Sequence, residues 1–190
     1  MAGNEKPRIF QDGRDMMINV VIIIVAMLAV VGFTGLCTFN PGAPEQGPVQ
    51  EVDARSFVEL ESRAVNYPVR YPEMSAGWTT NSARRSMIGG APAPVIGWVT
   101  PGGGFIQMTQ TAAPLDDAVR EIDADPRELA STEQVGGAQV QIYSSTADDV
   151  RDVWAVDVSD ARLVFTGAAT ADEFRELIET AVGTTPISRG

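Results

Sequence analysis

The chain has no histidine and one cysteine among its 190 residues. Without histidine there is no Ser-His-Asp or Cys-His nucleophile pair, no proximal haem ligand and no His-containing zinc site, and a lone cysteine makes no intrachain disulfide. No haem, iron–sulfur cluster, tight zinc or other cofactor is therefore expected. Positive charge is also scarce, with 14 Lys and Arg against 25 Asp and Glu. Carboxylate-pair catalysis needs no histidine, but nothing in the order of residues sets two acids across one cleft, so no catalytic residue is assigned.

A mean hydropathy near zero conceals two unlike parts. From Met16 to Phe39 the chain reads MMINVVIIIVAMLAVVGFTGLCTF, without a charge and with one amide, Asn19. As a helix this run is about 36 Å long, enough for a hydrocarbon core of about 30 Å. It is longer than the apolar core of a cleaved signal peptide, about 7–15 residues, and no small-x-small site follows closely. Cys37 stands where a lipidated cysteine would, but Leu36 fills the position that calls for Gly, Ala or Ser, and Cys37 reads as a small apolar residue at the end of the span. Lys6, Arg8 and Arg14 precede the run and nothing basic follows until Arg55. By the positive-inside rule the N-terminus is cytoplasmic and the rest lies outside.

The expected organisation is a cytoplasmic segment at 1–15, a transmembrane helix at 16–39, a tether at 40–50 rich in Pro and Gly (NPGAPEQGPVQ), and an exported domain at 51–190. Beyond residue 40 there are 11 Arg against 22 acids. This acidic part repels nucleic acid and anionic lipid, and suits solvent or a basic partner. Within the span, Ala26, Ala29, Gly32 and Gly35 recur every third residue. Small residues let a second helix approach closely, so this row is the candidate docking face.

The domain reads as α+β, an antiparallel sheet packed with helices. A helix is expected at 53–66, N-capped by Asp53 and ended by Tyr67-Pro68. Strands are expected at 77–87, 94–100 and 104–111, then a helix at 115–123. The second half repeats the order, with strands at 131–135, 138–145, 152–158 and 162–168 and a helix at 171–182. Thr170 and Glu173 form a capping box for this last helix, and Phe174, Leu177, Ile178 and Ala181 its buried stripe. Turns fall at Pro101 to Gly104, Gly136-Gly137 and Ser159-Asp160.

Four features invite chemistry and have plainer readings. The acid-rich run from Asp116 to Glu128 resembles a calcium loop in spacing but lacks the central Gly, and Pro126, Arg120 and Arg127 interrupt it. Gly102 to Gly104 resembles a phosphate cradle but is not followed by Lys-Ser or Lys-Thr, and reads as a turn. Arg84-Arg85 can clamp an anion or protect an edge strand. Trp78, Trp98 and Trp154 are core candidates first and ligand-pocket candidates second.

Two blocks carry a family likeness. They are Tyr67-Pro68-Val69-Arg70-Tyr71-Pro72 through Gly77-Trp78 with Ser82-Ala83-Arg84, and Gly97-Trp98-Val99-Thr100-Pro101-Gly102 with Phe105 and Thr109-Gln110-Thr111. Together with the closing stretch from Leu163 to Ala181, they resemble an actinobacterial family of single-span membrane proteins of unknown function, which implies one N-terminal span and a small exported domain. In size, anchor and acidic exterior the chain is also similar to a single-span accessory subunit, of about 20 kDa, of the corynebacterial cytochrome bcc–cytochrome oxidase supercomplex. That likeness implies a non-catalytic subunit in the cell membrane, docked by its span among integral membrane subunits and membrane lipid. The alternative is a stand-alone cell-envelope protein that binds a small or lipidic ligand.

Overall fold

This computed structural model describes residues 13–34, 49–123 and 125–187. The chain divides into two units, Met1–Gly47 and Pro48–Gly190. In the first, helix α1 runs Gly13–Thr34. Among the described residues no helix is long and apolar enough to cross a membrane; the described side chains of α1 run from Met16 to Val30, about 22 Å of helix. The tether lies almost wholly outside the described residues, as does Gly35.

The second unit is α+β, as expected. Its order is α2 (Ala54–Ala64), β1 (Thr79–Ile88), β2 (Ala91–Val99), β3 (Phe105–Thr111), α3 (Leu115–Glu121), β4 (Glu128–Val135), β5 (Ala138–Ser144), β6 (Val153–Asp157), β7 (Arg162–Ala168) and α4 (Ala171–Gly183). The strands form one antiparallel sheet in the order β1-β2-β3-β7-β6-β5-β4. Two meanders thus meet through their last strands, β3 and β7.

Alternation along the strands sends residues to two apolar layers. Ile96, Trp98, Ile106, Met108, Leu163 and Phe165 face one side and are covered by Ala54 and Val58 of α2 and by Phe174, Leu177, Ile178 and Ala181 of α4. On the other side Ala93, Val153, Ala155 and Val164 pack against Ala118 and Val119 of the short α3. Both N-caps form as expected: Asp53 accepts from Ser56, and the Thr170–Glu173 capping box is complete. A twofold axis between the antiparallel strands β3 and β7 would superpose the meanders and keep both following helices on one face. Because α3 and α4 take opposite faces, the likeness of the two halves stops at their strands.

The main departure from expectation is β2, which begins at Ala91 and so includes Pro92 and Pro94. Proline gives no N–H to a ladder and is confined to places where none is needed. The Pro92 carbonyl accepts from the Tyr67 hydroxyl, which also reaches the Gln110 carbonyl of β3. N–H and C=O of one strand residue point the same way, so the missing donors of Pro92 and Pro94 face β3 beyond the last β2·β3 rung, at Val95↔Thr109. β4 likewise starts earlier than expected, at Glu128, with a bulge between Leu129 and Ser131.

At the central β3·β7 pair, Gly167 leaves no room for a side chain. A Cβ there would lie 2.0 Å from the Phe105 carbonyl oxygen, a backbone atom of the ladder. Gly167→Ala is expected to destabilise the domain by about 1–3 kcal/mol, as overpacking does. Gly183→Ala, with nothing within 4 Å of its Cβ, should shift stability by less than about 1 kcal/mol. Urea midpoints of the two variants check this; equal midpoints would mean that the central ladder yields to a methyl group.

Candidate functional site

The two sequence blocks that carry the family likeness meet at one buried polar node. Along β3, Ile106, Met108 and Gln110 share the inward face, so a polar side chain stands at a core position, fully buried. Its amide satisfies the backbone of Arg70 in both directions: Arg70 N–H donates to Gln110 Oε1 at 2.7 Å, and Gln110 Nε2 donates to the Arg70 carbonyl at 2.8 Å. The side chain thus acts as a rung of sheet for a segment that has no strand of its own. Burial, with the Glu61 carboxylate adding to it, pushes the Tyr67 phenol well above its usual range.

The Arg70 side chain is itself buried, and Nη2 donates to both carboxylate oxygens of Asp160, at 2.8 and 2.9 Å. Asp160 sits in the β6–β7 turn, where Ser159 has φ 68° and donates its N–H to Asp157 Oδ1 at 2.8 Å. Among the described residues Arg70 Nε and Nη1 are buried and have no hydrogen-bond partner. Sequence reasoning placed Arg70 and Gln110 only as motif residues and Asp160 only as a turn. The available signal was Gln110, a polar residue at an inward strand position.

The Gly102–Gly104 run is a turn, as expected, and it does hold an anion, the carboxylate of Glu173. Gly102 N–H donates to Glu173 Oε1 at 3.0 Å. The Thr100 hydroxyl first, then Thr170 and Gly102, hold the Glu173 carboxyl down to about 2. One side chain therefore caps α4 and pins the β2–β3 turn. β1 is an edge strand, as the edge reading expects, but both arginines are engaged within the domain: Arg84 donates to Gln107, and Arg85 grips the buried Glu61 with Nε and Nη2 at 2.9 and 2.7 Å.

The acid-rich run makes ion pairs within itself. Asp123 takes Arg127 through both oxygens, which lowers its pKa, and Asp117 takes Arg120. Among the described residues no group of three or more Cys, Asp or Glu is arranged to hold a metal ion. Trp98 is fully buried, and Trp78 donates to Glu176. Trp154 borders a cleft of about 270 Å³ with Phe174, Arg151 and small residues of the β7–α4 connection. Phe174 stacks on its indole at 5.3 Å and the Arg175 guanidinium lies 5.8 Å from its centroid, so both stacking contacts are internal.

In α1 the side chains from Met16 to Leu28 are all exposed, and apolar ones occupy the whole circumference. Ala26 lies within this stretch, and Ala29 and Gly32 lie further along α1. A family model described as a protein of unknown function, DUF4245, matches residues 8–181. The chain belongs to that family. No curated protein and no solved structure matches it. The matched residues include α1 together with α2, all seven strands and α3, so helix and domain are parts of one family unit.

The Glu173 contacts generate a pH dependence with a definite sign. Its folded pKa, about 2, is depressed from 4.5, so the interaction is fully present above about 4.5 and is lost as pH falls toward 2. Glu173→Gln should flatten the fall in denaturation midpoint over that window and lower the midpoint at pH 7. An unchanged acid profile would show that Glu173 does not tie the turn to α4.

Proposed function

We propose that this chain is a non-catalytic accessory subunit of an integral membrane complex, anchored by α1 with its N-terminus cytoplasmic and its acidic domain on the outer face. One observation carries the reading: from Met16 to Leu28 every exposed side chain of α1 but Asn19 is apolar, on all sides of the helix. A helix apolar on all sides offers water no face, and rests in lipid or among other apolar helices. Crossing a membrane requires the apolar run to continue past Val30, and the sequence continues it through Phe39. The family match through α1 supports treating the helix as part of the working protein.

The cytochrome bcc–cytochrome oxidase supercomplex is the assembly proposed, on the likeness in size, anchor and acidic exterior. In this reading Ala26, Ala29, Gly32 and Gly35 face a partner helix, and the acidic domain covers part of the outer surface. A stand-alone envelope protein that binds a small or lipidic ligand is the second reading, favoured by the Arg70 donors that have no partner among the described residues.

External protease on intact spheroplasts should remove the domain beyond residue 40 and spare the N-terminus; a protected domain would reverse the orientation. Ala29→Leu with Gly32→Leu should force helices apart and release the chain from respiratory subunits during mild detergent purification, while Ile23→Leu should do little. Retention of the double variant at the wild-type level would leave α1 as an anchor alone.

A further inference from the structure

Three arginine–carboxylate pairs in this domain use two nitrogens. Arg85 meets Glu61 through Nε and Nη2, Arg175 meets Glu133 through Nε and Nη2, and Arg127 meets Asp123 through Nη1 and Nη2. In each, one nitrogen faces one oxygen, the parallel geometry that makes such pairs strong. Arg70 does not adopt this geometry; like Arg55, Arg120 and Arg162 it meets its carboxylate through a single nitrogen. Both Asp160 oxygens crowd onto Nη2, while Nε and Nη1 are buried without a partner among the described residues. A buried donor left unmet is costly, and in native proteins it calls for an explanation, such as a water or an ion. Here the fork that binds an oxyanion is presented inside the domain and only part of it is used.

The surroundings give a route to it. The Asp160 side chain is 35% exposed and that of Arg70 only 7%, so the carboxylate stands on the solvent side of the pair. It is carried by a hairpin turn whose Ser159 sits in the left-handed region that L side chains rarely adopt. Beneath Arg70 the backbone is fixed by the Gln110 amide, so the turn is the part free to yield.

We propose that Arg70 is the receptor for an external oxyanion, a carboxylate or phosphate group, with Asp160 as its resident stand-in and the turn Asp157–Ala161 as the lid. The incoming group takes Nε and Nη2 in parallel and Asp160 swings into water. One anion replaces another, so the buried guanidinium keeps a counter-charge throughout. This stands apart from anchoring by α1, and co-purification of the chain with membrane subunits neither supports nor weakens it.

The test uses the full chain in an uncharged detergent, with inorganic phosphate, acetate and a short-chain phosphatidate as probes. Calorimetric titration measures affinity, and amide hydrogen exchange follows residues 157–161. Asp160→Asn removes the resident charge and should bind at least one probe about tenfold more tightly than the native chain does; Arg70→Gln added to it should abolish binding. Faster exchange at the turn on binding supports the lid. Binding of phosphatidate alone points to a lipid headgroup, and binding of phosphate or acetate points to a free solute. Equal affinity in the native chain and Asp160→Asn overturns the proposal, as does binding that survives Arg70→Gln. Should Arg70→Gln fail to fold, the comparison of Asp160→Asn with the native chain decides alone.

Discussion

The pairing of β3 with β7 is the contact on which the rest of the domain depends. Each meander is built from hairpins that close locally, but neither covers a core by itself. The seven rungs from Phe105↔Ala168 to Thr111↔Arg162 turn two small sheets into one, and both apolar layers pass through those strands. Phe165, Leu163, Met108 and Ile106 supply the middle of one layer and Val164 that of the other. Pairing strands so distant in sequence carries a loop-closure cost that only the combined burial repays. The close backbone approach at Gly167 marks where that demand is sharpest.

The domain is acidic, yet its arginines are largely spent internally. Arg70, Arg85, Arg127, Arg162 and Arg175 each hold a carboxylate, and these pairs tie separate elements together or secure turns. Arg175 holds two carboxylates and the others one each, so no positive charge is left over from these groups and the surplus of acid sets the sign of the surface. Fold and surface potential are thereby linked: the groups that could neutralise the exterior are those that stitch the interior.

Much of this was legible in the residues because it obeys local rules. The Thr170–Glu173 box, the buried stripe of α4, the Asp53 cap and the glycine turns each depend on a few neighbouring side chains, and each formed where expected. What was not legible depends on distant partners. The strand expected to begin at Pro94 reaches back through Pro92 because Tyr67, from 25 residues upstream of Pro92, takes the carbonyl at the opening between β2 and β3. Asp160 read as a turn former until Arg70, 90 residues away, reached it. Glu173 announced its capping role, but its hold on Gly102 exists only once the sheet has brought β2 and α4 together. Hydrophobic period and turn chemistry carry no information about such meetings.

The strand order also decides how the domain bears a pull. Tension arriving along the chain from its N-terminal side enters at Val52, whose N–H is bonded to the Thr80 carbonyl on the outer edge of β1, and then at α2, which lies on the sheet and not within it. The central pair is separated from that point by β2. A load would nevertheless bypass both outer strands: once α2 was stripped it would fall on residues 67–70, whose bonds to Gln110 lead straight into β3, so a single buried amide is where a pull from that end meets the middle of the sheet.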